Sequence, residues 1–177
     1  MLNIFGEEEY KPIRKYGIIM PNYFISKNGN VVSTRCKKTE RPIQTVIKKN
    51  PRSKNLRYRS FNMTIDQSYI EEELGDNYQR AVIAKGQKAL KRNKGQLITS
   101  VAVGLRVHQA VMWSWKPIDD YPPVPKEEWD KTPESVKQII RESICVDHID
   151  GNSLNNHIDN LRYTSQKGNN SWRKMDE

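Results

Sequence analysis

Two apolar arms flank Asn28-Gly29-Asn30 in the stretch Tyr23–Ser33, YFISKNGNVVS. Asn and Gly tolerate positive φ, so this pattern predicts a β-hairpin that turns there. Its return strand continues through TRCKKTERPIQTVIKKN, where apolar and basic residues alternate in IQTVIKK. Leu56–Ile65, LRYRSFNMTI, alternates too and predicts another strand, with Arg57 and Arg59 on one face and Tyr58 on the other. From Ser68 to Asn93 the period lengthens to that of a helix, interrupted at Gly75 and Gly86. β-forming residues return over Leu97–Val107, and HQAVMWSWKP follows as an apolar, aromatic helical turn closed by Pro117. PPVPKEEWDK reads as a Pro-rich loop. Thr132 then reads as an N-cap, with Pro133 at the first helical position and Glu134 in the first turn of a helix running to about Ser143.

The final stretch reads ICVDHIDGNSLNNHIDNLRYTSQKGNNSWRKMDE. Ile144–Ile149 predicts a strand, Asp150-Gly151-Asn152 opens a loop dense in Asn and Asp, and Asn160–Tyr163 predicts a second strand. Thr164 reads as the N-cap of a helix from Ser165 to about Lys174. Asp147 and His148 are neighbours near the end of the first strand, so their side chains leave on opposite faces. A carboxylate and an imidazole there offer a hard metal ligand and a proton acceptor. The amide oxygen of Asn169 could complete a metal site opposite Asp147. Asn160, where the loop rejoins the second strand, could hold the loop backbone or accept a hydrogen bond from His148. By themselves D-G-N and N-N are ordinary turn chemistry.

Charge sharpens the picture. The 177 residues carry 30 Lys and Arg against 21 Asp and Glu, a net +9. The excess is concentrated: Lys27–Arg59 holds eleven bases and one acid, Glu40. A concentrated excess predicts a surface for a polyanion, with nucleic acid the first candidate. Lys37, Lys38, Arg41, Lys48, Lys49, Arg57 and Arg59 are the expected DNA-contacting residues. The basic run Lys85, Lys88, Lys91, Arg92 and Lys94 is either phosphate-facing or a solvated helix end. Hydrophobic residues make up 36% of the chain, which predicts modest cores. Cys36 and Cys145 form no C-x-x-C pair, so no structural zinc is expected. No secretory signal or membrane span is visible, and a cytoplasmic setting is expected.

The run Val146–Asn170 resembles the signature of HNH endonucleases, with VDHIDGN, LNN, IDNLRYT and GNN in order. The pattern is nearest to the phage and intron-associated HNH homing endonucleases. YFISKNGNVVS is similar to a short module found beside HNH domains, and VHQAVMWSW to a helix that commonly precedes the HNH core, where its His, here His108, is usually structural. The resemblance implies an α+β fold with a C-terminal ββα-metal motif behind a strand-rich DNA-binding region. It implies His148 as general base, Asp147 and Asn169 as metal ligands, and Asn160 as the residue that positions His148. His157, Arg162 and Arg173 are possible active-site contacts.

The expected division is a DNA-binding region at 1–95 and a nuclease domain at 96–177, with its core at 144–175 and an insertion at about 117–143. The implied cofactor is Mg²⁺, Mn²⁺ or another divalent cation. The implied partner is double-stranded DNA, cut at a specific site by a monomer or homodimer to leave 5′-phosphate and 3′-hydroxyl ends. A nonspecific or restriction-type HNH nuclease and a DNA-binding protein with an inactive HNH fold are the alternatives. A basic RNA-binding or scaffold protein would explain the charge but not the C-terminal pattern.

Overall fold

A computed structural model describes residues 3–5, 8–15, 17–35, 41–49, 57–75, 100–166 and 168. The first sheet is antiparallel with strands in chain order: β1 (Asn3–Phe5), β2 (Glu8–Lys15), β3 (Ile18–Ser26), β4 (Val31–Ser33) and β5 (Arg41–Pro42). The predicted hairpin is β3–β4. Its turn is closed by Gly29 N–H on the Ser26 carbonyl at 3.1 Å. Along β3 the buried positions pass from Met20 to Tyr23 and Ile25. That change of parity follows from Asn22 at φ +64° and the register shift opposite it.

The second sheet has the order β6 (Val46–Lys49), β7 (Arg57–Asp66) and β8 (Ser100–Arg106), also antiparallel. Here the alternation read from the sequence is regular from Phe61 onward, after a change of parity at Ser60 and Phe61, which are both buried. Phe61, Met63 and Ile65 are buried on one face of β7, and Leu105 and Val103 stand opposite the first two on β8. Each such side chain contributes about 1.5–3 kcal/mol by leaving water.

Helix α1 (Gln67–Leu74) follows β7 and ends at Gly75, whose φ is +49°. The rest of the helix read to Asn93, with its basic tail, lies outside the described residues. Helix α2 (Val107–Trp115) is apolar almost all round and accordingly buried, with seven of its nine residues inside. It touches β2, β3, β7, β8 and the C-terminal strands β9 (Cys145–His148) and β10 (Leu161–Thr164). One hydrophobic cluster therefore draws residues from both sides of the division expected at 95/96, from Ile13 to Leu161.

Two local readings are corrected. PPVPKEEWDK is not all loop: Lys126–Lys131 forms the short helix α3, held by Trp129, which is buried. Thr132 does not cap α4 (Glu134–Ser143); Pro133 takes the N-cap position, while the Thr132 hydroxyl donates back to the Glu128 carbonyl at 2.7 Å. Among the described residues, no helix is long and apolar enough to cross a membrane.

Candidate active site

β9 and β10 pair antiparallel, with His148 opposite Leu161 and Asp147 opposite Arg162. The connection between them closes on itself through polar side chains. Asp150 Oδ1 accepts from the Asn152 N–H, and Asn155 Nδ2 donates to Asp150 Oδ2. Asn160 stitches the two ends together: its Oδ1 accepts from the Asp150 N–H at 3.0 Å, and its Nδ2 donates to Asp150 Oδ1 and the Asn155 carbonyl. These bonds, led by that of Asn155, hold the Asp150 carboxyl below its ordinary pKa. His157 caps the short turn Ile158–Asn160, its Nδ1 accepting from the Asp159 N–H.

Of the two roles open to Asn160, the geometry gives it the loop backbone. The bond to His148 comes instead from Asn156. His148 Nε2 lies 3.3 Å from Asn156 Oδ1, and Asn156 Nδ2 donates to the Leu154 carbonyl at 3.0 Å. That second bond fixes which end of the amide faces the ring. Oδ1 is an acceptor only, so Nε2 carries the proton and Nδ1 holds the lone pair.

The other walls of the His148 pocket come from remote segments. The His108 ring, on the first turn of α2, meets the His148 ring at 4.9 Å and an interplanar angle of 65°. Tyr58 on β7 lies 5.1 Å from His108 and 6.3 Å from His148 between ring centroids. Burial lowers the His148 pKa against the opposing pull of Asn156, Asp147 and Asp150. Burial, then His148 and Arg106, push His108 down to about 3. Both rings are therefore neutral at pH 7. Among the described residues, His108 Nδ1 is buried without a hydrogen-bond partner.

Several contacts dock this unit on the rest of the chain, among them the Tyr163 hydroxyl, which donates to the Lys116 carbonyl at 2.8 Å. The Ser153 hydroxyl donates to the Arg57 carbonyl at 2.6 Å, and the Ile158 N–H to the Lys27 carbonyl at 3.0 Å. Gly29, at φ +83°, packs so closely that a Cβ there would stand 2.6 Å from Val107 Cγ1 and 3.3 Å from Asn156 Cβ.

Asp147 emerges on the face away from His148, and its Oδ2 accepts from Arg162 Nη2 at 3.0 Å and Nε at 3.3 Å. Among the described residues, no group of three or more His, Cys, Asp and Glu gathers as a metal cage. A lone carboxylate suits a hard divalent cation that keeps most of its ligands as water and phosphate oxygen. Asn169 and Arg173 lie outside the described residues. The turn leading toward them is capped by Ser165, whose Oγ accepts from the Gly168 N–H, one residue beyond the expected Thr164.

The expected DNA-contacting residues are dispersed. Arg41 is exposed on β5, and Lys48 on β6. Arg57 and Arg59 are exposed at the start of β7, on the face opposite Tyr58. The backbone of Lys49 pairs with Arg57; Lys37 and Lys38 lie outside the described residues. Asn156, Tyr58 and Arg106 are site neighbours that the sequence reading did not single out. A histidine on the otherwise apolar face of α2 was the one available signal for His108.

Residues 121–171 match the model of a family described as HNH endonuclease. The match takes in most of the segment expected as an insertion. No curated protein matches the chain. Among solved structures the chain is similar to one described as "DNA binding and cleavage by the HNH homing endonuclease I-HmuI", at 20% identity and a TM-score of 0.46. The alignment covers 95% of this chain and spans 58% of that one.

Proposed function

We propose, starting from the match of residues 121–171 to the model of the HNH endonuclease family, that this chain is a DNA endonuclease that hydrolyses phosphodiester bonds with His148 as its general base. The observation that carries this reading is His148 itself. It is buried and neutral, with one ring nitrogen committed to Asn156, and it stands beside Asp147.

His148 Nδ1 takes a proton from a water molecule as the water oxygen attacks phosphorus. The bond from phosphorus to the 3′ oxygen breaks, and that oxygen takes a proton from solvent. The products carry 5′-phosphate and 3′-hydroxyl ends. Asn156 keeps Nδ1 unprotonated, and the Asn160 lattice keeps the strand end in place. Asp147, with Asn169, would hold a divalent cation, which supplies charge neutralisation at phosphate when bound. His157 and Arg162 would contact the substrate around this centre, and Arg173 is assigned the same role from its place in the sequence alone.

Site-specific, homing-type cleavage is the finer reading. Exposed Lys48, Arg57 and Arg59 lie on an antiparallel ribbon joined to the site loop through Ser153 and Arg57, and a two-stranded ribbon fits the major groove.

The test is cleavage of supercoiled plasmid with Mg²⁺ by the wild type, by His148→Ala and in EDTA, with the cut ends mapped. Loss of cutting in both controls supports the reading, and full activity in His148→Ala overturns it. A discrete cut supports site-specific action, whereas a smear refers the chain to nonspecific nucleases.

A further inference from the structure

On the face of β7 that carries Tyr58, the antiparallel register places Lys48 of β6 directly opposite Tyr58 and Arg106 of β8 directly opposite Ser60. Two cations thus flank the ring that packs toward His148. The Arg106 guanidinium lies over the Tyr58 ring, 4.5 Å from its centroid. A guanidinium held by its carbon over a ring keeps its N–H donors along the rim, where phosphate oxygens can meet them. Among the described residues, no carboxylate pairs with either Arg106 or Lys48. Arg106 is exposed, whereas the His108 and His148 rings beside Tyr58 are buried.

Arginine on an aromatic platform is partly ordered before its ligand arrives, so less side-chain entropy is lost on binding. The platform here is the wall of the candidate catalytic pocket, not a distant surface. A cation at this point would meet backbone charge close to the bond being cut. Arg57 and Arg59 leave the opposite face of the same strand and cannot serve that position.

We propose that Arg106, carried on Tyr58, binds the substrate phosphodiester that neighbours the one attacked at His148. The inference rests on the DNA-endonuclease reading and names the residue that registers the backbone at that site. It is a positioning role, since Arg106 touches the substrate away from the reacting phosphate.

The experiment compares full-length wild type, Arg106→Gln and Arg106→Lys on duplex DNA, measuring binding over a range of salt concentrations. Losing one phosphate contact lowers the slope of log K against log salt by about 0.9. Arg106→Gln is expected to show that loss with a raised KM, whereas Arg106→Lys keeps the slope. A methylphosphonate at the phosphate beside the mapped cut should weaken the wild type and leave Arg106→Gln indifferent. An unchanged slope in Arg106→Gln overturns the inference, as does equal sensitivity of both proteins to the methylphosphonate. If Arg106→Gln fails to fold, the methylphosphonate duplex decides on the wild type alone: weakened binding supports the role and unchanged binding overturns it. Absence of salt-dependent DNA binding by the wild type would instead overturn the endonuclease reading, and this inference with it.

Discussion

The ring of His108 meets the ring of His148 edge to face, 4.9 Å between centroids, although 40 positions separate them in the chain. Two neutral imidazoles in contact must both resist protonation, because a charge on either is poorly solvated and repels a charge on the other.

Burial of His108, with the neighbouring His148 adding to it, makes stability depend on pH. Burial pushes His108 down to about 3 from the ordinary 6.5 of a histidine, so between those values the unfolded chain binds the extra proton. Stability is fully present above the unfolded value and is lost as pH falls toward the folded one. Between pH 7 and pH 5 the loss from His108 alone is about 2 kcal/mol. Urea unfolding at the two pH values measures it. His108→Phe should unfold with a shallower pH dependence, and an equally steep one would remove His108 as the cause.

Asn156 should matter more to rate than to folding. Asn156→Leu leaves His148 Nε2 without its acceptor, at a cost of about 1–3 kcal/mol, which corresponds to roughly tenfold or more in rate if it falls on the transition state. Asn156→Asp should move the acid limb of the pH–rate profile upward, because a carboxylate favours the imidazolium. Profiles that superimpose would show that Asn156 does not govern the base.

The turn glycine can be tested against a matched control. Gly29→Ala combines left-handed backbone with a collision at Val107, and should cost about 2–4 kcal/mol. That corresponds to a fall in Tm of about 5–15 °C. Gly17 has the same φ of +83° but nothing within 4 Å of an added Cβ, so Gly17→Ala should cost only the backbone strain. Calorimetry that finds equal losses would refute the packing argument.

Ser153→Ala removes the hydroxyl that ties the site loop to Arg57. The expected stability loss is about 1 kcal/mol, with a larger proportional fall in kcat. A fall in Tm with unchanged kcat would mean that the tether is structural only.

The sequence was most legible where structure is local. Asn28-Gly29 places its hairpin because the turn chemistry is complete in three residues. From Phe61 to Asp66 the alternation sets which side of β7 is buried, because the pleat repeats every two residues, whereas Arg57 and Arg59 share that side and stay exposed. The pairing of Asn156 with His148 was not legible. Asn152, Asn155, Asn156 and Asn160 share one loop, and side-chain type alone does not say which amide faces the ring. Tyr58 and His108 were hidden for a different reason: their contact depends on how two sheets close around α2. In PPVPKEEWDK the prolines masked a helix that Trp129 anchors from inside.

The tethers at Lys27, Gly29 and Arg57 all precede His148 in the chain. A polypeptide is synthesised from its N-terminus, so the remote walls of the pocket, on Tyr58 and His108, are made before the residue they enclose. For a few seconds at ordinary synthesis rates, a nascent chain carries Arg57, Arg59 and Arg106 but not yet His148. On the nuclease reading proposed above, such a chain has its cations before its base, so birth order alone separates holding a polyanion from cutting it.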